Sequence, residues 1–166
     1  LKGLYVMGEN PMISDPDLNH VEEALRKLDF LVVQDIFPTE TALMADVILP
    51  AVSFAEKTGT FTNTERRVQK VHQAIEPEGQ RKQDIWIIGE LAKRFGYKQL
   101  RYSNQETIMK EIAKLTPIYG GISHKRIEKE GGLQWPCPDP KHPGTKYLHK
   151  GQFTRGKGLF SAVEYR

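Results

Sequence analysis

Apolar and polar positions follow two different rhythms along this chain. Short apolar runs at residues 4–7, 30–33 and 47–49 have the length of buried strands. Gly8 ends the first run, Gln34 and Asp35 follow the second, and Pro50 closes the third. Between the first two runs, Asp15-Pro16-Asp17 supplies a helix start, and Val21, Leu25 and Leu28 recur at helical spacing. Residues 41–45 read as a short helix or turn. Residues 54–71 read as irregular or hairpin structure, with Lys57-Thr58-Gly59 as the turn. A helix is predicted over 84–95, with Ile85, Ile88, Leu91, Ala92 and Phe95 on one face and Gly96 as its stop. Asn104 is the candidate N-cap of another helix, in which Thr107, Ile108, Glu111, Ile112 and Leu115 follow. Residues 124–130 predict a short third helix. Strand, helix, strand, turn, strand and then helices make an α/β unit with a mainly parallel sheet.

Glycine and proline change that picture toward the end. Thirteen of the 24 fall within residues 117–166. The stretch 131–158, with Trp135-Pro136-Cys137-Pro138-Asp139-Pro140, cannot hold a long helix. The chain therefore divides into an α/β body, 1–116, and an irregular Gly/Pro-rich C-terminal extension, 117–166. At 166 residues its length suits one ordinary domain with a core. It opens on a strand, with no initiator Met, as a piece of something longer does.

Charge is split along the chain. Residues 1–62 carry a net charge of −6 and residues 63–166 a net of +9. The basic residues are scattered, with no block of five or six, and no zinc-finger or RNP-type spacing accompanies them, so no nucleic acid partner is expected. No apolar run approaches the roughly 18 residues that span a bilayer, so no membrane insertion is expected. The single cysteine, Cys137, excludes an internal disulfide, and the five histidines show no metal-ligand spacing. Ser53 lacks the context of a nucleophile elbow. No catalytic and no metal-binding residue is expected in the chain.

In an open parallel sheet, ligands bind outside the carboxyl ends of the strands. The residues there are the candidates. Gly8 permits a sharp turn and close approach of backbone to a ligand. Asn10 offers both a donor and an acceptor. Asp35 lies 25 residues past Asn10, near the spacing at which a dinucleotide fold places an acid on ribose hydroxyls. Lys57 is either a solvated turn lysine or a point charge for phosphate. Asp84 either caps its helix or accepts two parallel bonds from the N1–H and amino group of a guanine. Asp46 precedes a strand and satisfies backbone donors. Glu65-Arg66-Arg67 reads as a local ion pair.

These motifs occur in a specific order. Gly8-Glu9-Asn10-Pro11 precedes Val32-Val33-Gln34-Asp35-Ile36-Phe37-Pro38-Thr39-Glu40-Thr41. Ala45-Asp46-Val47-Ile48-Leu49-Pro50 follows, then Glu56-Lys57-Thr58-Gly59-Thr60-Phe61-Thr62-Asn63 and Glu65-Arg66-Arg67-Val68-Gln69. The string resembles the molybdopterin oxidoreductases of the dimethyl sulfoxide reductase class, and within it the catalytic subunits of formate dehydrogenases. Leu133-Gln134-Trp135-Pro136-Cys137 is similar to a late segment of the same subunits.

The resemblance implies a third domain of a four-domain subunit, a Rossmann-like three-layer unit. That domain would hold the guanosine end of a molybdopterin guanine dinucleotide on molybdenum or tungsten. Carried over residue by residue, the binding positions are Asn10, Gln34, Asp35, Lys57 and Asp84, with Gly8 and Thr39 as further candidates. The resemblance also implies an iron–sulfur cluster in an N-terminal domain, and as partners the remaining domains of the same subunit and electron-transfer subunits. For the parent it implies the cytoplasm first, the periplasm as the alternative. The iron–sulfur cysteines and the molybdenum ligand have no match here, so this piece is expected to be inactive alone. The same domain of a periplasmic-type nitrate reductase, or an accessory domain with a decayed nucleotide site, are the alternatives.

Overall fold

Each apolar run folds as a strand, and the three strands lie side by side in one direction. A computed structural model describes residues 1–97, 102, 104–153 and 155–164. β1 (Gly3–Met7), β2 (Phe30–Asp35) and β3 (Val47–Pro50) form a parallel sheet in the order β1-β2-β3. Its register pairs Met7 with Gln34 and Asp35 with Pro50, so the three strands end level with one another. The protein is thus α/β with a parallel sheet, as the pattern predicts.

By internal contacts the chain falls into two compact units. The first comprises Leu1–Gly59 and Val71–Ser103, and holds the parallel sheet. Here α1 (Pro11–Ser14) and α2 (Leu18–Arg26) connect β1 to β2. Asp17 caps α2 by accepting from the His20 N–H at 3.1 Å. α2 and the turn that follows it bring Val21, Leu25 and Leu28 onto Leu4, Val6, Leu31 and Val33, one face of the sheet. The spacing of those three residues is what predicts the helix, and their burial is what holds it. Asp46 accepts from the Leu31 N–H at 2.7 Å, the backbone role its position suggests. On the other face Tyr5, Met7 and Val47 are 37–48% exposed, yet Gln34 beside them is fully buried.

α3 (Asp84–Arg94) ends as predicted. Gly96 sits at φ +80°, with Gly96 N–H on Lys93 O and Tyr97 N–H on Ala92 O, the paired bonds of a Schellman cap. Its buried residue is Ile87, whereas Phe95 is 87% exposed. This corrects the predicted face: four successive apolar residues, Ile85 to Ile88, leave the helical period without a unique answer.

The second unit comprises Thr60–Lys70 and Asn104–Arg166. β4 (Gly59–Thr62), β5 (Arg67–Val71) and β6 (Leu133–Gln134) form a sheet in that order, with β5 antiparallel to β6. The hairpin turns at residues 63–66 and not at Lys57-Thr58-Gly59. Asn63 Oδ1 accepts from the N–H groups of Glu65 and Arg67, and Arg66 takes a left-handed φ of +68°. An asparagine that replaces two backbone acceptors makes the tighter turn. Glu65 pairs with Arg67 at 2.7 Å, the local ion pair expected of that tripeptide.

α4 (Gln105–Leu115) begins at its predicted cap, where Asn104 Oδ1 accepts from the Thr107 N–H at 3.0 Å. α5 (His124–Glu130) follows. Met109, Ile122, Ile127, Leu133 and Cys137 close around Val68 as the core of this unit. Arg126 ties the proline-rich segment down, donating to the carbonyls of Gly121 at 2.7 Å and His142 at 3.0 Å while pairing with Glu130 at 2.9 Å. Among the described residues no helix is long and apolar enough to cross a membrane.

Candidate functional site

The level strand ends bring most of the candidate residues to one edge of the first unit. They fall into two hydrogen-bonded clusters, with Asp35 alongside.

The first cluster grows from the turn after β1. Gly8 adopts φ +63° and donates its N–H to Gln34 O at 2.9 Å. No atom lies within 4 Å of where a Cβ would stand, so its backbone is open to approach. Pro11 opens α1, where its missing N–H costs nothing. Asn10 Oδ1 accepts from the Thr41 hydroxyl at 2.7 Å and the Thr41 N–H at 3.2 Å, and Asn10 Nδ2 donates to Glu40 at 2.7 Å. The Asn10 amide holds the Glu40 carboxyl below its ordinary range. Thr39 Oγ1 accepts from the Ala42 N–H at 3.2 Å and so fixes the loop. Sequence reasoning named Asn10 and Thr39 but missed the buried Thr41 hydroxyl and Glu40, which lie within the same motif.

The second cluster centres on Asp84, the first residue of α3. It does not act as the N-cap, which is Gln83. Its carboxylate instead turns to the sheet. Oδ1 accepts from Gln34 Nε2 at 2.6 Å, and Oδ2 pairs with Lys57 Nζ at 2.5 Å. Lys57 is therefore not a solvated turn residue. A capping box sets its backbone: the Ser53 N–H donates to Glu56 at 2.8 Å, and buried Glu56 faces Arg81 at 3.0 Å. The Tyr5 hydroxyl donates to Gln34 Oε1. Burial, and then the charge of Asp84, push the Tyr5 phenol above its ordinary value.

Asp35 stands between these clusters in sequence but joins neither. Its Oδ1 accepts from its neighbours' N–H groups, Ile36 at 2.7 Å and Phe37 at 3.1 Å. That turn holds the side chain while Oδ2 keeps its acceptor capacity. A cleft of about 620 Å³ opens past the ends of β2 and β3, lined by Ile36, Phe37, Ala51, Ser53, Glu56 and Arg81. Cys137 lies in the second unit, fully buried.

Chemically, this edge offers carboxylates that only accept, one lysine beside one of them, and an open glycine backbone. Asp84 has about four lone-pair positions, and its two protein partners use two. Such a set suits the hydroxyls and N–H groups of a nucleoside.

Comparison with known proteins identifies the chain's relatives. A family model described as molybdopterin oxidoreductase matches residues 1–94. An F420-dependent formate dehydrogenase subunit alpha of Methanocaldococcus jannaschii is 56% identical over all of this chain, which covers 25% of that protein. The subunit alpha of F420-dependent formate dehydrogenase 2 of Methanococcus maripaludis is 49% identical with the same coverage. The chain thus spans about a quarter of the length of these relatives. Among solved structures, the acetylene hydratase of Pelobacter acetylenicus superposes with a TM-score of 0.60 at 23% identity, over 81% of this chain and 18% of that one. This last likeness is one of fold. With the family model spanning more than half of its residues, the chain belongs to the molybdopterin oxidoreductase family.

Proposed function

We propose that this chain is the cofactor-holding domain of a formate dehydrogenase catalytic subunit. The carboxyl end of its parallel sheet would take the guanosine end of a molybdopterin guanine dinucleotide. One observation carries the reading: Asp84, Lys57 and Gln34 converge at the strand ends on which Asp35 and Gly8 also stand. The names of the relatives support formate as the substrate of the longer subunit.

The residues fit a nucleoside by their donor and acceptor chemistry. Asp35 Oδ2 accepts from ribose hydroxyls, since a carboxylate can accept from both at once. Asp84 accepts in parallel from guanine N1–H and the exocyclic amine, a pairing that adenine cannot supply. Lys57 pairs with Asp84 at 2.5 Å and carries a positive charge toward the phosphate side. Gly8 lets the backbone come close, and Asn10 with Thr39 keeps the surrounding loops in register. When bound, the molybdopterin group with molybdenum or tungsten supplies the two-electron redox chemistry that takes formate to carbon dioxide. In the longer subunit an iron–sulfur cluster and electron-transfer subunits would carry the electrons away. This domain's share is binding, orientation and local charge, and the rest of the catalytic subunit is its first partner.

Asp35→Ala in the full-length subunit tests this. The variant loses a charge-assisted contact worth about 1.5–3 kcal/mol, so cofactor affinity falls about tenfold or more. Molybdenum and guanine nucleotide content per polypeptide should fall together with the rate of formate oxidation. Full occupancy at the unaltered rate contradicts the assignment.

A further inference from the structure

We infer that Tyr5 is a positioning residue for Asp84, acting through Gln34. The inference rests on the reading of Asp84 as the nucleotide's acceptor.

Gln34 is fully buried, and both ends of its side-chain amide are engaged by other side chains. Its amide is oriented in one way only. A carboxylate accepts and cannot donate, so the amide nitrogen must face Asp84 Oδ1, as it does at 2.6 Å. The amide oxygen is then driven to the other side, where it meets the Tyr5 hydroxyl. There Tyr5 must be the donor. Three groups in series thus have a fixed polarity: hydroxyl to amide oxygen, amide nitrogen to carboxylate. Lys57 holds the second carboxylate oxygen from outside. Asp84 is gripped from two directions, and its free lone pairs are aimed by that grip.

The position of Tyr5 in the sheet makes this possible. On β1, Leu4 and Val6 face the core under α2, and Tyr5 faces the opposite way with Met7. Met7 pairs in register with Gln34, which places Tyr5 one step back along the same face. A phenylalanine there would supply the same ring without the donor. The buried amide oxygen would then have no partner, and Gln34 would lose its reason to keep its nitrogen on Asp84.

The test compares the chain with Tyr5→Phe and with Tyr5→Phe/Gln34→Leu. Three quantities are read: the side-chain carbonyl ¹³C shift of Gln34, thermal stability, and GMP affinity. The inference expects the Gln34 shift to move in Tyr5→Phe and GMP affinity to fall about tenfold. In the double variant the buried Gln34 amide is removed together with the Tyr5 hydroxyl, so much of the stability recovers. Affinity stays low, because Asp84 has lost its inner donor. A merely structural Tyr5 predicts that Tyr5→Phe loses stability while GMP affinity holds, and that result overturns the inference. So does a Gln34 shift unchanged in Tyr5→Phe. Uniform 3-fluorotyrosine labelling, which makes the phenol a stronger donor without adding bulk, provides a second reading should Tyr5→Phe not fold. The Gln34 shift must then move in the sense of a stronger bond, and a static shift refutes the coupling. Absence of GMP binding by the unaltered chain, with the Tyr5–Gln34 coupling intact, tells against the nucleotide reading alone.

Discussion

Asp84→Ala should cost the protein both stability and nucleotide affinity, and the two losses separate by a second substitution. Removing the carboxylate leaves the Gln34 amide nitrogen buried with no acceptor, at a cost of about 1–3 kcal/mol. Lys57 loses its partner too, but at 23% side-chain exposure it can turn toward water, so its share is smaller. A total of about 2–3 kcal/mol corresponds to a fall in Tm of roughly 5–10 °C for a chain of this size. Guanine affinity should fall about a hundredfold, because two charge-assisted bonds disappear together. Asp84→Asn keeps one acceptor for Gln34, so much of the stability returns. It does not restore two parallel acceptors, so the affinity loss persists. Thermal melts and nucleotide titrations of the two variants check the pair of outcomes. Equal affinity in Asp84→Asn and the unaltered chain contradicts a bidentate role.

Gly121→Ala should have the largest effect on the second unit. A Cβ there would lie 2.0 Å from Asp139 O and 3.0 Å from Cys137 O, both backbone atoms. Neither can retreat cheaply. The Gly121 N–H donates to Cys137 O at 2.7 Å, and Arg126 draws the Gly121 and Asp139 carbonyls together. One added methyl must therefore break the clamp that holds the proline-rich segment, at about 4 kcal/mol or more. The buried thiol of Cys137 reports this directly, since the chain has no other cysteine. Its labelling by a thiol reagent should quicken by two orders of magnitude or more in the variant. Gly89→Ala is the matched control. It adds the same methyl inside α3, where nothing lies within 4 Å, and should stabilise by about 0.5–1 kcal/mol through helix propensity. Slow labelling in Gly121→Ala would show that the segment is not clamped there.

The contrast between these two sites shows what the sequence can carry. The parallel sheet was legible because Leu4, Val33 and Ile48 sit in short runs bounded by turn residues, and that local pattern survives folding. Asp17 and Asn104 were legible as caps for the same reason: a cap bonds within three residues of itself. The candidate positions at the strand ends follow from topology once the strands are in place. Their wiring does not. Tyr5 meets Gln34 across 29 residues and Gln34 meets Asp84 across 50, and no periodicity encodes such contacts. Asp84 at a helix start reads as a cap from sequence, and only its tertiary partners turn it inward. The buried face of α4 shows the same limit. Met109 is buried and Leu115 is 70% exposed, because a short amphipathic helix offers more than one apolar stripe and its neighbours choose. Lys57-Thr58-Gly59 looked like a turn by composition, yet the Ser53–Glu56 capping box holds its start extended and Asn63 makes the turn instead.

The central claim is that the carboxyl end of the parallel sheet takes a guanine nucleoside. NMR titration of the chain with GMP, and with AMP as control, tests it most directly. The account predicts shifts confined to residues around Asp35 and Asp84, including Gly8 and Lys57, with GMP and not with AMP. Equal shifts from both nucleotides, or GMP shifts confined to surfaces away from these strand ends, would contradict it.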